Sequence, residues 1–307
     1  MSKLLRLGLL VALATSVSCD KSGGTKSPDG GGGGAGLVAA GDVALRYKIG
    51  PGKLEQRGKF DMNTTGGGQF GEAAIEYTAK LDLTAAGDKL RVAWSIADVA
   101  KLDVKGMFED KGSTEDPKAF LVAEAKGAFL VDAFGKLDEK ATEALPENAA
   151  RRERFKKIEA DAKAAGGEPK TSTGVKILAF ADSMVSLPDL PKDGLAVGKS
   201  VTVEEKEESQ MGGITLPTET ETKYTLVKID DSGGTRIAEL QIEAVASGAT
   251  EVPGGMLTVD MTTEGTMLFD VDAGMPVSYK LSRSQSFAFG ETTVESTILV
   301  ESSFSAG

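Results

Sequence analysis

Residues 75–96 read IEYTAKLDLTAAGDKLRVAWSI, and this stretch decides the fold. Ile75, Tyr77, Ala79, Leu81 and Leu83 alternate with Glu76, Thr78, Lys80 and Asp82. A period of two puts the apolar set on one face of an extended chain and the polar set on the other. Ala86-Gly87-Asp88 supplies a turn, after which Leu90, Val92, Trp94 and Ile96 continue the apolar face. The pattern is that of a half-buried antiparallel hairpin.

The same grammar extends in both directions. Val43, Leu45 and Tyr47 predict an earlier strand that ends at Pro51-Gly52. Residues 119–134 (AFLVAEAKGAFLVDAF) read as a hairpin about Ala125-Lys126-Gly127, with a buried helix as the competing reading. Leu137 to Ala165 differs in kind: it is rich in Ala, Glu, Lys and Arg and divided by Pro146. Leu137, Ala141, Ala144 and Leu145 form one helical stripe; Phe155, Ile158, Ala162 and Ala165 form another, stopped by Gly166-Gly167. Alternation is expected again from Gly174, with a rigid crossing at Leu187-Pro188-Asp189-Leu190-Pro191. Strands then follow around Val201, Tyr224, Ile237, Met256, Met267, Val277 and Val294, with turns at Asp231–Gly234, Gly265, Ala273-Gly274 and Gly290.

The expected fold is mainly β: an antiparallel sandwich or open barrel of two β-rich halves, 37–135 and 171–307, with an amphipathic helical insertion at 136–170. Tyr77-Thr-Ala-Lys-Leu-Asp-Leu before Gly87 is weakly echoed by Tyr224-Thr-Leu-Val-Lys-Ile-Asp before Gly234. Duplicated halves and generic hairpin composition both account for that echo.

The N-terminus carries a different message. MSKLLRLGLLVALATSVSC (1–19) has two cations, Lys3 and Arg6, then an apolar run from Leu7 to Val17, then the chain's one cysteine, Cys19. This is the layout of a bacterial secretory signal over 1–18, and the run is too short to span a bilayer, which needs about 20 apolar residues. Residues 19–36 continue as a Gly/Ser-rich spacer (DKSGGTKSPDGGGGGAG after Cys19) with no side chain suited to packing. The alternative is an ordinary secretory signal cut after Ser16 or Ser18, leaving a secreted, non-lipidated β protein.

Composition narrows the chemistry. With 46 acidic against 35 basic side chains the net charge is −11, and no basic patch with interleaved aromatics appears, so nucleic acid is not an expected partner. The chain has no histidine, which removes imidazole bases, Ser-His-Asp catalysis and His-ligated zinc. One cysteine permits no internal disulfide. The expectation is a non-enzyme without cofactor or metal.

Ser16-Val17-Ser18-Cys19 resembles a bacterial lipobox, with Ser16 where Leu is usual. The body also resembles uncharacterised β-rich bacterial lipoproteins. The likeness rests on Leu45-Arg46-Tyr47-Lys48, Pro51-Gly52, Phe129-Leu130-Val131, Leu187-Pro188, Val197-Gly198-Lys199-Ser200 and Asp270-Val-Asp272-Ala-Gly274-Met-Pro276-Val277. Similar members carry Trp after the Val-Gly step, where this chain has Val201. The resemblance implies an acylated Cys19, a location in the cell envelope and a non-catalytic structural or binding role. It transfers no active site and leaves inner and outer membrane undistinguished. The expected partners are the membrane, through acyl chains, and a hydrophobic ligand or envelope protein, with a carrier of lipid as the alternative function.

Within the body, Tyr77, Trp94 and Phe120 are the candidate ligand-pocket residues, although core packing is the favoured reading of Trp94. Asp260, Asp270 and Asp272 suit a hard cation in type, but Asp and Gly are also what a hairpin turn requires. Glu204, Glu205, Glu207 and Glu208 read as a charged strand edge. Met211, Met256, Met261, Met267 and Met275 are soft apolar gap-fillers able to adapt to acyl chains.

Overall fold

Alternating sequence becomes alternating burial. Along Gln69–Ala86 the side chains of Ala73, Ile75, Tyr77, Ala79, Leu81 and Leu83 are buried, with more exposed neighbours between them. The computed structural model describes residues 42–110, 115–164, 172–211 and 214–307; the signal, Cys19 and the spacer lie outside them. Ten strands form: β1 (Gly52–Gly66), β2 (Gln69–Ala86), β3 (Lys89–Gly106), β4 (Lys126–Val131), β5 (Ser200–Met211), β6 (Ile214–Asp230), β7 (Ile237–Val252), β8 (Gly255–Asp270), β9 (Met275–Phe289) and β10 (Thr292–Ala306). They make one antiparallel sheet in the order β4-β3-β2-β1-β10-β9-β8-β7-β6-β5. The two β-rich halves therefore merge through β1 and β10, whose register runs from Leu54 opposite Ala306 to Gly66 opposite Val294. The sheet is open, with β4 and β5 as its edges. Its 18-residue strands β2 and β3 are each about 60 Å long.

The apolar faces of both halves belong to one core that runs from Trp94 on β3 to Leu226 on β6. The upper end of the sheet holds Gly52, Ala306 and the turn before Met275; the lower end holds the hairpins after Gly66, Val252 and Phe289. Among the described residues one helix, α1 (Pro117–Glu124), precedes the edge strand β4, and four lie between β4 and β5 in sequence: α2 (Glu139–Glu143), α3 (Pro146–Ala164), α4 (Thr173–Leu178) and α5 (Ala181–Met184). They pack chiefly on β1, β3 and β4.

The structure corrects four local readings. Ala119–Phe134 is not a hairpin: α1 is followed directly by β4, with Ala125 as the joint. Asp116 caps α1 by accepting from the Lys118 N–H, and Pro117 sits at its first position, where its missing N–H costs nothing. The segment from Gly174 is helical, because Ser172 caps α4 by accepting from the Val175 N–H. Val43–Tyr47 is extended but joins the core rather than the sheet, through one bridge to Leu195 and the Tyr47 N–H to Ala133 O. Gly265 is no turn: β8 runs through it, and a Cβ there would lie 2.1 Å from the Lys280 carbonyl oxygen. Gly274 and Gly290 do make turns, both at positive φ. The helical stripe expected at Phe155 to Ala165 falls on side chains outside the described set.

Candidate functional site: the inner face of the sheet

The inner face changes character from top to bottom. In its upper half Gln56 on β1, Tyr77 on β2, Tyr279 on β9 and Ser302 on β10 meet in the core. Gln56 Nε2 donates to Ser302 Oγ at 2.8 Å, to the Met184 carbonyl at 3.0 Å and to Tyr77 Oη at 3.2 Å. Tyr77 Oη donates to the same Met184 carbonyl, and Tyr279 Oη to Ser186 O at 3.3 Å. Burial raises the pKa of both phenols, so each stays a neutral donor. The network fastens α5 and the chain after it onto the sheet.

Tyr77, Trp94 and Phe120 consequently occupy three different settings. Tyr77 belongs to this polar network. Trp94, buried on β3, lies under the Arg151 guanidinium, 6.0 Å from the ring centroid, while Arg151 also forms a two-pronged pair with Asp182. Phe120 on α1 lines a cavity of about 250 Å³ among α1, α3 and α4, with Ala150, Leu178, Arg151 and Arg154. Arg154 is paired with Glu124 there. A larger groove of about 810 Å³ crosses the outer face at the level of Tyr77, lined by Arg57, Lys59, Glu76, Glu239, Lys280 and Glu301. Several of its charges are neutralised by neighbours, Lys280 by Glu301 at 2.7 Å and Lys59 by Asp61 at 2.9 Å.

The remaining candidates have structural occupations. Asp270 Oδ1 accepts from the N–H groups of Asp272 and Ala273, shaping the β8–β9 turn, and Asp272 is held by Arg236 at 2.6 Å. Asp260 stands mid-strand on β8 opposite Ser247 and Ser286. Glu204, Glu205, Glu207 and Glu208 lie on the edge strand β5, where Lys136 pairs with Glu205 and reaches Glu207 at 3.7 Å. Met267 is fully buried and Met256 exposed.

Lower on the inner face, where of the sequence candidates Met261 stands in register with Gln285, the apolar surface gives way to Arg283, Gln285, Thr263, Ser296 and Thr64. The signal was present: Tyr279, Leu281, Arg283, Gln285 and Phe287 share one parity, so a cation was written into an inward-facing set.

No protein-family model matches the chain, and no curated protein matches it. Among solved structures it is similar to an outer membrane channel from Pseudomonas putida F1, at 8% identity over 87% of this chain and 98% of that one, with a TM-score of 0.21. OccK7 (OpdD) of Pseudomonas aeruginosa matches at 6% identity over 83% of this chain and 99% of that one, with a TM-score of 0.18.

Proposed function

We propose that this is an exported protein of the bacterial cell envelope, held at a membrane by lipid on Cys19 and acting there as a non-catalytic binding module. The observation that carries the reading is the segment 1–19: two cations, a short apolar run and the chain's single cysteine at its end. Two or more acyl chains anchor durably where one binds reversibly. The spacer to Gly36 reaches about 20–25 Å by the square-root rule, enough to hold the body clear of lipid headgroups.

A binding role is favoured over catalysis by how the polar groups are used. The buried tyrosines serve as neutral donors that tie helix to sheet. A carrier of amphiphiles is the second reading, supported by the polar lower half of the inner face.

Intact-mass analysis of membrane-extracted protein beside a Cys19→Ala form tests the anchor. The expected result is an acyl-sized mass increment on the native protein only, with the variant released from the membrane fraction. Equal masses with cleavage after Ser16 or Ser18 would establish a secreted, unlipidated protein instead.

A further inference from the structure

Arg283 is an inward-facing cation on the sheet with no carboxylate partner among the described residues. It stands on β9 among inward-facing residues, in register with Thr263 on β8 and Ile298 on β10. Its one hydrogen bond among the described residues is weak, from Nε to Thr263 Oγ1 at 3.3 Å. The surrounding protein lowers its pKa by desolvation, with no neighbouring acid acting on it. Part of its surface still meets solvent, so a solute can reach it. Lys136, Arg91 and Arg151 each have an acidic partner, and the half-buried Lys176 donates to the carbonyls of Met107 and Glu109, whereas Arg283 has only the Thr263 hydroxyl. A desolvated charge with no counter-ion is expensive, and a polar environment or a bound anion is what offsets it.

The surroundings supply both halves of an amphiphile site. One rung below Arg283 lie Gln285, Ser296 and Thr64, all buried, the last two sharing a 2.8 Å hydrogen bond between their hydroxyls. Four residues below Arg283, about 13 Å along the strand, Phe287 packs with Val259 and Leu216 in a second apolar cluster. Gly248 makes that cluster compact: with no side chain between β6 and β8, it lets Leu216 and Val259 meet. The upper half of the face is covered by α5 and the chain around Ser186, whereas among the described residues the side-chain hydrogen bonds of Arg283, Thr64 and Ser296 stay within the sheet.

We propose that Arg283 holds the anionic head of an amphiphile, a phosphate or carboxylate, whose apolar chain lies along the lower inner face toward Phe287, Val259 and Leu216. This rests on the binding role proposed above but not on the anchor, so its test is independent of Cys19. A guanidinium offers a planar fork of donors that a phosphate or carboxylate accepts two at a time.

The test uses the full chain with three probes: dodecyl phosphate, inorganic phosphate and dodecyltrimethylammonium. Equilibrium dialysis is expected to show saturable one-to-one binding of dodecyl phosphate, weakened at least tenfold in Arg283→Met and partly kept in Arg283→Lys. The ammonium probe is expected to bind wild type no better than Arg283→Met. Thr263→Glu places a carboxylate beside Arg283 and is expected to remain folded while losing dodecyl phosphate. That variant keeps the test decisive if Arg283→Met fails to fold. Equal binding of dodecyl phosphate by wild type and either variant overturns the proposal. Protection by inorganic phosphate equal to that by dodecyl phosphate overturns the amphiphile and leaves a free-anion site.

Discussion

Gly58 carries no side chain because Tyr77 occupies the space. The two are register partners on β1 and β2, and a Cβ on Gly58 would fall 2.1 Å from Tyr77 Cζ. The ring cannot tilt away freely, since its hydroxyl is engaged by Gln56 and by the Met184 carbonyl. Overpacking of this kind costs about 1–3 kcal/mol. Gly58→Ala is therefore expected to lower stability by that amount in urea unfolding, whereas in a Tyr77→Ala background the same substitution should be nearly neutral. An equal cost in both backgrounds would mean the two residues do not compete for space. The inward parity of Tyr77 was legible from alternation alone. Its seat on Gly58 was not, because that depends on strand register, which no local pattern specifies.

At the scale of elements, α3 is joined to the edge strand β4 by one side chain. Asn148 is buried in the first turn of α3; its Oδ1 accepts from the Ala128 N–H at 3.2 Å and its Nδ2 donates to Ala128 O and Thr142 O, both at 2.7 Å. The amide thus acts as a short piece of neighbouring strand, satisfying an edge that would otherwise be bare. Asn148→Ala strands both backbone groups of Ala128, and an unsatisfied buried group costs about 1–3 kcal/mol. The variant should unfold at lower denaturant, with amide exchange accelerating first at residues 126–131. Unchanged exchange there would show that β4 does not need the helix.

What the sequence announced about these elements was uneven for a physical reason. Long alternating runs such as 75–96 bury one face whatever their partners, so β2 and β3 were readable at once. Alternation does not separate the two elements of Ala119–Phe134, because a short apolar helix and a buried strand follow each other without a polar break. The start signal lay just upstream, in Asp116-Pro117, outside the window that alternation drew attention to. Gly265 misled in the opposite direction: glycine suggested a turn, whereas here it allows close packing against Leu281 in mid-strand. For the candidate site, Arg283 was visible as a residue and its parity as a pattern. Its lack of a counter-ion could be seen only once every neighbouring strand was in place.

At the scale of the whole molecule, an open sheet must manage the gap between its edges, and charge does part of that work. The segment after β4 doubles back on its own edge through Asp132 N–H to Lys136 O and Asp138 N–H to Leu130 O. Lys136 then reaches across to Glu205 and Glu207 on β5. Asp189 belongs to the chain crossing that same opening, beside Pro188, whose carbonyl accepts from Tyr47 Oη at 2.7 Å. Desolvation first, and then the carboxylates Glu205, Asp132 and Glu207, push the Asp189 pKa up to about 7, with Lys136 pulling the other way. An aspartate in the unfolded chain titrates near 3.9. Between roughly pH 4 and pH 7 the folded protein therefore keeps a proton that the unfolded chain has released. The stabilisation this brings is complete below about pH 4 and is lost as pH rises through 7. The Asp189 side chain is itself exposed, so solvent screens the effect to a fraction of what full burial would give, while the carboxylates of Glu205, Asp132 and Glu207 keep its direction upward. Asp189→Asn fixes the neutral state, so its melting temperature relative to wild type is expected to rise steadily from pH 4.5 to pH 8. A difference that stays flat, or that shrinks with rising pH, would show that Asp189 is already ionised in the folded protein and that the seam carries no protonation-dependent strain.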